Sequence, residues 1–211
     1  PRFAPGATAL GLTLVVAGGY DTPSALTARV DAFSTVDGTW SQLLDAPVAR
    51  AYPQTAAIGT TLFLLGGFGS DGTARGDCYA LDTSAGSGSA WQPIAAMPAG
   101  FTRGGAGVVV TPPRIYLFGG AGSDGALASV VFYDMIADAW TTDALPDLPA
   151  PRFAPAAMRR SPDGLFVVAG GLAGTTADTA SRDVDLLYLG SDAWVAGSAM
   201  PAASGDCAYG V

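Results

Sequence analysis

Histidine, lysine, glutamate and asparagine are missing from all 211 residues, so every base is one of ten arginines and every acid one of 18 aspartates. Without an imidazole, Ser-His-Asp and Cys-His nucleophile activation, His-ligated zinc and the two-His iron site are closed to this chain. No metal and no cofactor are expected. Cysteine is scarce: Cys78 and Cys207 stand 129 positions apart, neither a redox pair nor a zinc-ligand spacing. They read as two isolated buried thiols rather than a disulfide. Charge is sparse, 13% of residues, and the balance is −8 with an isoelectric point near 4.2. The basic footprint that nucleic-acid phosphates require is therefore absent, and acidic membrane surfaces are disfavoured. No apolar run approaches the roughly 18–20 residues that span a bilayer, and the opening PRFAPGATAL lacks the charged-then-apolar order of a secretory signal. Membrane insertion is not expected; the Ala- and Gly-rich, lysine-free composition leans towards an extracellular or cell-surface setting.

What is present repeats. With 49% hydrophobic residues the chain is long enough for a sizeable core, and double glycines recur at Gly18-Gly19, Gly66-Gly67, Gly119-Gly120 and Gly170-Gly171. Each closes a short continuous apolar run (LTLVVAGG, TLFLLGG, RIYLFGG, GLFVVAGG), the pattern of a strand buried on both faces. A tryptophan follows some twenty residues later, at Trp40, Trp91, Trp140 and Trp194, a recurrence that suggests a packing post between units. Each unit then runs through a proline to an arginine: Arg50, Arg103 and Arg152, with Pro1-Arg2 as the same punctuation and Ser204 where the next arginine would fall.

The third unit divides into four strands: Gly104 to Val110, Arg114 to Phe118, Ser129 to Asp134 and Ala139 to Thr142, with turn residues between them. Helical periodicity is absent. Four-stranded antiparallel units of about 50 residues, too apolar on their faces to stand alone, predict an all-β protein with sheets stacked face to face, a β-propeller. The repeats fall near 1–48, 49–101, 102–150 and 151–202, with 203–211 opening a fifth, in a single domain or part of one.

Arginine, two apolar strands ending in Gly-Gly, an aromatic-Asp, tryptophan and then Met-Pro is a pattern that resembles Kelch repeats. The resemblance covers essentially the whole chain. Tyr133-Asp134 is complete only in the third unit; Leu81-Asp82, Phe33-Ser34 and Tyr188-Leu189 replace it elsewhere, so the turn that follows is expected to be looser or differently bonded in units one and four. Propellers of this kind generally close with more than four blades, and a piece of a larger propeller is expected over a closed four-blade ring.

The resemblance places function on two sets of loops. Those after each Gly-Gly carry Tyr20 and two GSDG tetrapeptides with Asp71 and Asp124. An Asp between glycines can contribute to a calcium site, but such a site needs six to eight oxygens, and a plain tight turn is the simpler reading. In the links between units each arginine has an aromatic close by: Arg2 with Phe3, Arg50 with Tyr52, Arg103 with Phe101, Arg152 with Phe153. As a ring these could grip an acidic peptide or an anionic glycan; in the plainer reading each arginine bonds backbone carbonyls or a neighbouring Asp and ties adjacent blades. Asp183 and Asp185 share one strand face, as a candidate acid–base pair or a solvated strand edge. Copper-radical oxidases and iron-dependent specifier proteins of the resembled family depend on histidine or glutamate ligands that are missing here.

The leading expectation is a non-catalytic binding or scaffold module for a protein or glycan, with no catalytic residues assigned. The alternatives are a mutarotase-like carbohydrate-active enzyme, and a structural repeat in a larger extracellular assembly. Self-association, or a larger assembly that completes the propeller, is a further expectation.

Overall fold

The computed structural model describes residues 2–205 except Pro162 and Thr175, without the side chains of Ser87 and Ala177. Cys207 and most of the expected fifth unit lie outside the described residues. The chain divides after Gly104 into two compact units, and each holds two four-stranded antiparallel sheets.

The first unit runs β1 (Gly6–Leu10), β2 (Thr13–Ala17), β3 (Tyr20–Thr22), β4 (Ala25–Leu26), β5 (Val30–Ser34), β6 (Thr39–Gln42), β7 (Gln54–Ile58), β8 (Thr61–Leu65), β9 (Cys78–Asp82) and β10 (Gln92–Ile94). Its sheets are β1-β2-β5-β6 and β7-β8-β9-β10, the first and second blades. The second unit runs β11 (Gly107–Thr111), β12 (Arg114–Phe118), β13 (Ala121–Gly122), β14 (Gly125–Ala126), β15 (Val130–Asp134), β16 (Ala139–Thr141), β17 (Ala156–Arg160), β18 (Leu165–Ala169), β19 (Val184–Tyr188) and β20 (Val195–Ala196). Its sheets β11-β12-β15-β16 and β17-β18-β19-β20 are the third and fourth blades. The strands of the third blade fall where the sequence places them, within three residues at each end. Not foreseen are the short hairpins β3/β4 and β13/β14, with strands of two or three residues, and short 3-10 turns at Thr83–Gly88 and Ala177–Thr179.

Strand alternation gives each blade two apolar faces, and within a unit the facing sheets share a core. In the first unit Val15, Ala17 and Val30 pack with Leu62, Leu64 and Leu81; in the second Tyr116, Phe118, Val130 and Phe132 pack with Phe166, Val168 and Leu187. The packing-post expectation holds for two tryptophans. Trp91 packs on the first core and its Nε1–H donates to the Leu44 carbonyl at 3.1 Å, while Trp194 packs on the second and donates to the Pro146 carbonyl at 3.0 Å. Trp40 differs: it packs on Phe33 of its own blade and is exposed.

Turns after the third strand are bonded differently from blade to blade. Asp134 accepts from the Ile136 and Ala137 N–H groups and Asp82 from Ser84. The first blade uses the Ser34 hydroxyl, which accepts from Asp37 N–H, and the fourth a main-chain bond from Ser191 to Tyr188.

Candidate functional site

The links between repeats are built around their arginines. The Arg50 carbonyl accepts from Gly19 N–H of the first blade at 2.8 Å, while its guanidinium reaches into the second, to the Gly66 carbonyl at 2.8 Å, the Asp77 carbonyl at 3.1 Å and the Asp77 carboxylate at 2.7 Å. Arg152 repeats this in the second unit: its carbonyl accepts from Gly120 N–H, and its side chain bonds the Gly170 and Asp183 carbonyls and the Asp185 carboxylate. The Arg103 carbonyl accepts from Gly67, and Ser204 fills the same backbone place against Gly171. One residue thus ties a blade to its predecessor through the main chain and to its own blade through the side chain.

These ties correct the reading of the arginines as a ligand-gripping set. Arg50 and Arg103 are fully buried and Arg152 is 2% exposed; the donors of Arg50 and Arg152 satisfy the Gly66 and Gly170 carbonyls of the diglycine turns. Arg2 is half-buried and bonds Asp31 together with the Val16 and Arg29 carbonyls. The Asp183–Asp185 pair is corrected as well. β19 is an interior strand, and Asp185 is buried against Arg152 rather than lying on a solvated edge.

A second backbone regularity places the aromatics. Two residues beyond each arginine the chain is left-handed, at Ala4 (φ 53°), Tyr52 (φ 49°), Gly105 (φ 61°) and Ala154 (φ 50°). Three of these are not glycine, a conformation that costs about 1–3 kcal/mol each and is held by surrounding bonds. Those bonds include Tyr52 N–H to the Ala4 carbonyl and Ala154 N–H to the Gly105 carbonyl, both 2.8 Å. The residue after Arg2, Arg50 and Arg152 makes an antiparallel bridge to the residue after a diglycine: Phe3 with Tyr20, Ala51 with Phe68, Phe153 with Leu172. Links and post-diglycine loops are therefore laced together.

In the first unit this lacing assembles four rings from four segments. Tyr20 and Phe3 lie 6.3 Å apart, Phe3 and Tyr52 6.1 Å edge-on, Tyr52 and Phe68 6.3 Å edge-on. Phe3 is 59% exposed and the other three are half-buried. Phe68 is the member that sequence reading missed; its place directly after Gly67, matching Tyr20 after Gly19, was the available signal. The second unit is different: Phe153 and Leu172 are buried, with the Phe153 ring over Gly105, so Phe153 is core and not surface. Phe101 is half-buried and lends its carbonyl to Arg103 Nε at 2.8 Å.

Asp71 and Asp124 are exposed on their loops. Asp71 accepts from the Thr73 hydroxyl at 2.7 Å and the Thr73 N–H at 3.0 Å, bonds that hold its carboxyl below the usual range. This is turn chemistry. Among the described residues no group of three or more Cys or Asp side chains is arranged to hold a metal ion. Burial pushes the Cys78 thiol up to about 12, so it is protonated and inert at neutral pH. Iodoacetamide followed by peptide mapping is expected to leave Cys78 unmodified in the native protein and to label it after unfolding; native labelling at the unfolded rate would overturn its burial.

Diglycine turns, buried arginines and four-stranded blades define a Kelch-repeat β-propeller. The sequence model of the KLHDC2/KLHL20/DRC7 Kelch-repeats domain matches residues 5–204, and the chain belongs to this family. It is 31% identical over 139 residues to Kelch-like protein terF of Aspergillus terreus, covering 61% of this chain and 29% of that one. It is 35% identical over 98 residues to mouse Kelch-like protein 22, covering 46% and 15%. The chain thus spans less than a third of the length of these curated relatives. Among solved structures YjhT matches with a TM-score of 0.79 at 16% identity, over 97% of this chain and 73% of that one, a likeness of fold.

Proposed function

We propose that this chain is a non-catalytic protein-binding module whose partner seats on the aromatic row Tyr20–Phe3–Tyr52–Phe68. Protein binding is the common role of Kelch propellers, and the exposed Phe3 flanked by half-buried rings is the observation that carries the reading to these residues. Rings of this kind offer large contact area at low entropic cost and are enriched in binding hot spots. The catalytic alternative loses its best acid–base pair to the Arg152 tie.

Selection of a displayed random-peptide library on the native protein tests this. Enriched peptides are expected to bind the Phe3→Ala and Tyr52→Asn proteins at least about 10-fold more weakly, the loss of one hot-spot contact, with melting temperatures little changed. Asparagine is chosen at position 52 because it tolerates the left-handed region. Peptides that keep full affinity for both variants, or a selection that enriches nothing while a glycan array scores, would overturn the reading.

A further inference from the structure

Four Asp-Gly dipeptides sit at turns: Asp37-Gly38, Asp71-Gly72, Asp124-Gly125 and Asp163-Gly164. An aspartyl side chain followed by glycine can close on its own main chain, because no Cβ stands beside the incoming amide nitrogen. By sequence that reaction is open to all four. The fold decides among them by how each carboxyl is held.

Three are held. The Ser34 hydroxyl donates to the Asp37 carboxylate at 2.9 Å, and Asp71 accepts from the Thr73 hydroxyl at 2.7 Å and the Thr73 N–H at 3.0 Å. Asp163 is paired with Arg160, whose Nε is 3.0 Å away, and accepts from Leu165 N–H at 3.4 Å. Such bonds favour the ionised form, and those from Thr73 and Arg160 hold the Asp71 and Asp163 carboxyls below the usual range. An ionised carboxylate is a poor target for a nucleophile. Asp124 differs: it is exposed at the tip of the β13/β14 hairpin, between the paired Gly122 and Gly125, and its carboxylate receives no hydrogen bond or ion pair from any described residue. An added Cβ at Gly125 would meet nothing within 4 Å, so the approach is open.

We propose that Asp124 is the site at which the folded chain converts to isoaspartate. The Gly125 amide nitrogen attacks the neutral Asp124 carboxyl. The N–Cγ bond forms, the Cγ–OH bond breaks, and the hydroxyl leaves as water with the amide proton, so a succinimide remains. Water then adds to the α-carbonyl and breaks its bond to the Gly125 nitrogen, which leaves the chain running through Cβ and Cγ with a free α-carboxylate. One water is lost and one gained; nothing is oxidised or reduced. The product carries one extra methylene in the main chain between Gly122 and Gly125, on a post-diglycine loop outside the four-stranded sheet of the third blade.

Ageing of the native protein at mildly acidic pH, followed by peptide mapping that separates isoaspartyl from aspartyl peptides, tests this. Isoaspartate is expected to form at Asp124 at least about 10-fold faster than at Asp37, Asp71 or Asp163, the order of one hydrogen bond to a charged group. In the urea-unfolded chain the four rates are expected to converge, since each aspartate is followed by glycine. Thr73→Ala removes the hydroxyl donor and is expected to speed the reaction at Asp71 in the folded protein while Asp124 stays unchanged. An Asp124 no faster than the other three, a lead that persists undiminished after unfolding, or an Asp71 unmoved by Thr73→Ala overturns the proposal.

Discussion

Arg152→Ala is expected to destabilise the second unit by about 3–5 kcal/mol, the cost of removing one partner of a buried ion pair. For a chain of this size that lowers the melting temperature by roughly 6–20 °C. The loss is large because Asp185, 5% exposed, would keep its charge without the cation that now bonds it, and the Gly170 and Asp183 carbonyls would lose their donor. Arg50→Ala is expected to cost less: Asp77 retains Arg75, whose Nε is 2.8 Å away.

The pH dependence supplies an independent check. Burial raises the Asp185 carboxyl, Arg152 pulls it back and Asp183 pushes it up again, with a net rise. A raised carboxyl contributes stability that is fully present below its unfolded value near 3.9 and lost as pH rises through the folded value. Without Arg152 the rise is larger, so the deficit of the variant should shrink from neutral pH towards about pH 4. Thermal melts of both proteins across that range measure it; a deficit that is constant with pH, or a variant as stable as the parent, would sink the ion-pair account.

Gly66→Ala is expected to cost about 3 kcal/mol or more, from left-handed strain of about 1–2 kcal/mol and a steric clash in addition. At Gly66, φ is 54° and an added Cβ would stand 2.4 Å from the Arg103 carbonyl oxygen, which is backbone and accepts from Gly67 N–H. Gly59 is the control, in the same blade at φ 60° with nothing within 4 Å of an added Cβ. Gly59→Ala should therefore show only the strain. Equal losses in urea unfolding of the two variants would remove close approach as the reason for the paired glycines.

The repeats, the four strands of each blade and the family pattern were legible because each is local. A buried second strand reads as an apolar run, and a left-handed turn pressed against a carbonyl admits only glycine, so LLGG or LFGG announces both. The hairpin β3/β4 escaped notice because two- and three-residue strands carry no periodicity. The arginines were legible as a repeat but not in their role. Whether a guanidinium faces solvent or carbonyls depends on where Gly66, Asp77, Gly170 and Asp185 sit, 16 to 33 residues away.

Spacing along the chain thus settled the kind of element and the four main strands of a blade, because backbone conformation and strand burial are written in neighbouring residues. Tertiary structure alone decided that Arg50 and Arg152 are internal ties, that Phe153 is core while Phe3 is surface, and that Phe68 completes a row with Tyr20 and Tyr52. Those outcomes rest on bridges between loops distant in sequence, Phe3 with Tyr20, Ala51 with Phe68 and Phe153 with Leu172. Equivalent link positions carry different side chains, and only their neighbours across such a bridge determine which ring is covered and which meets solvent.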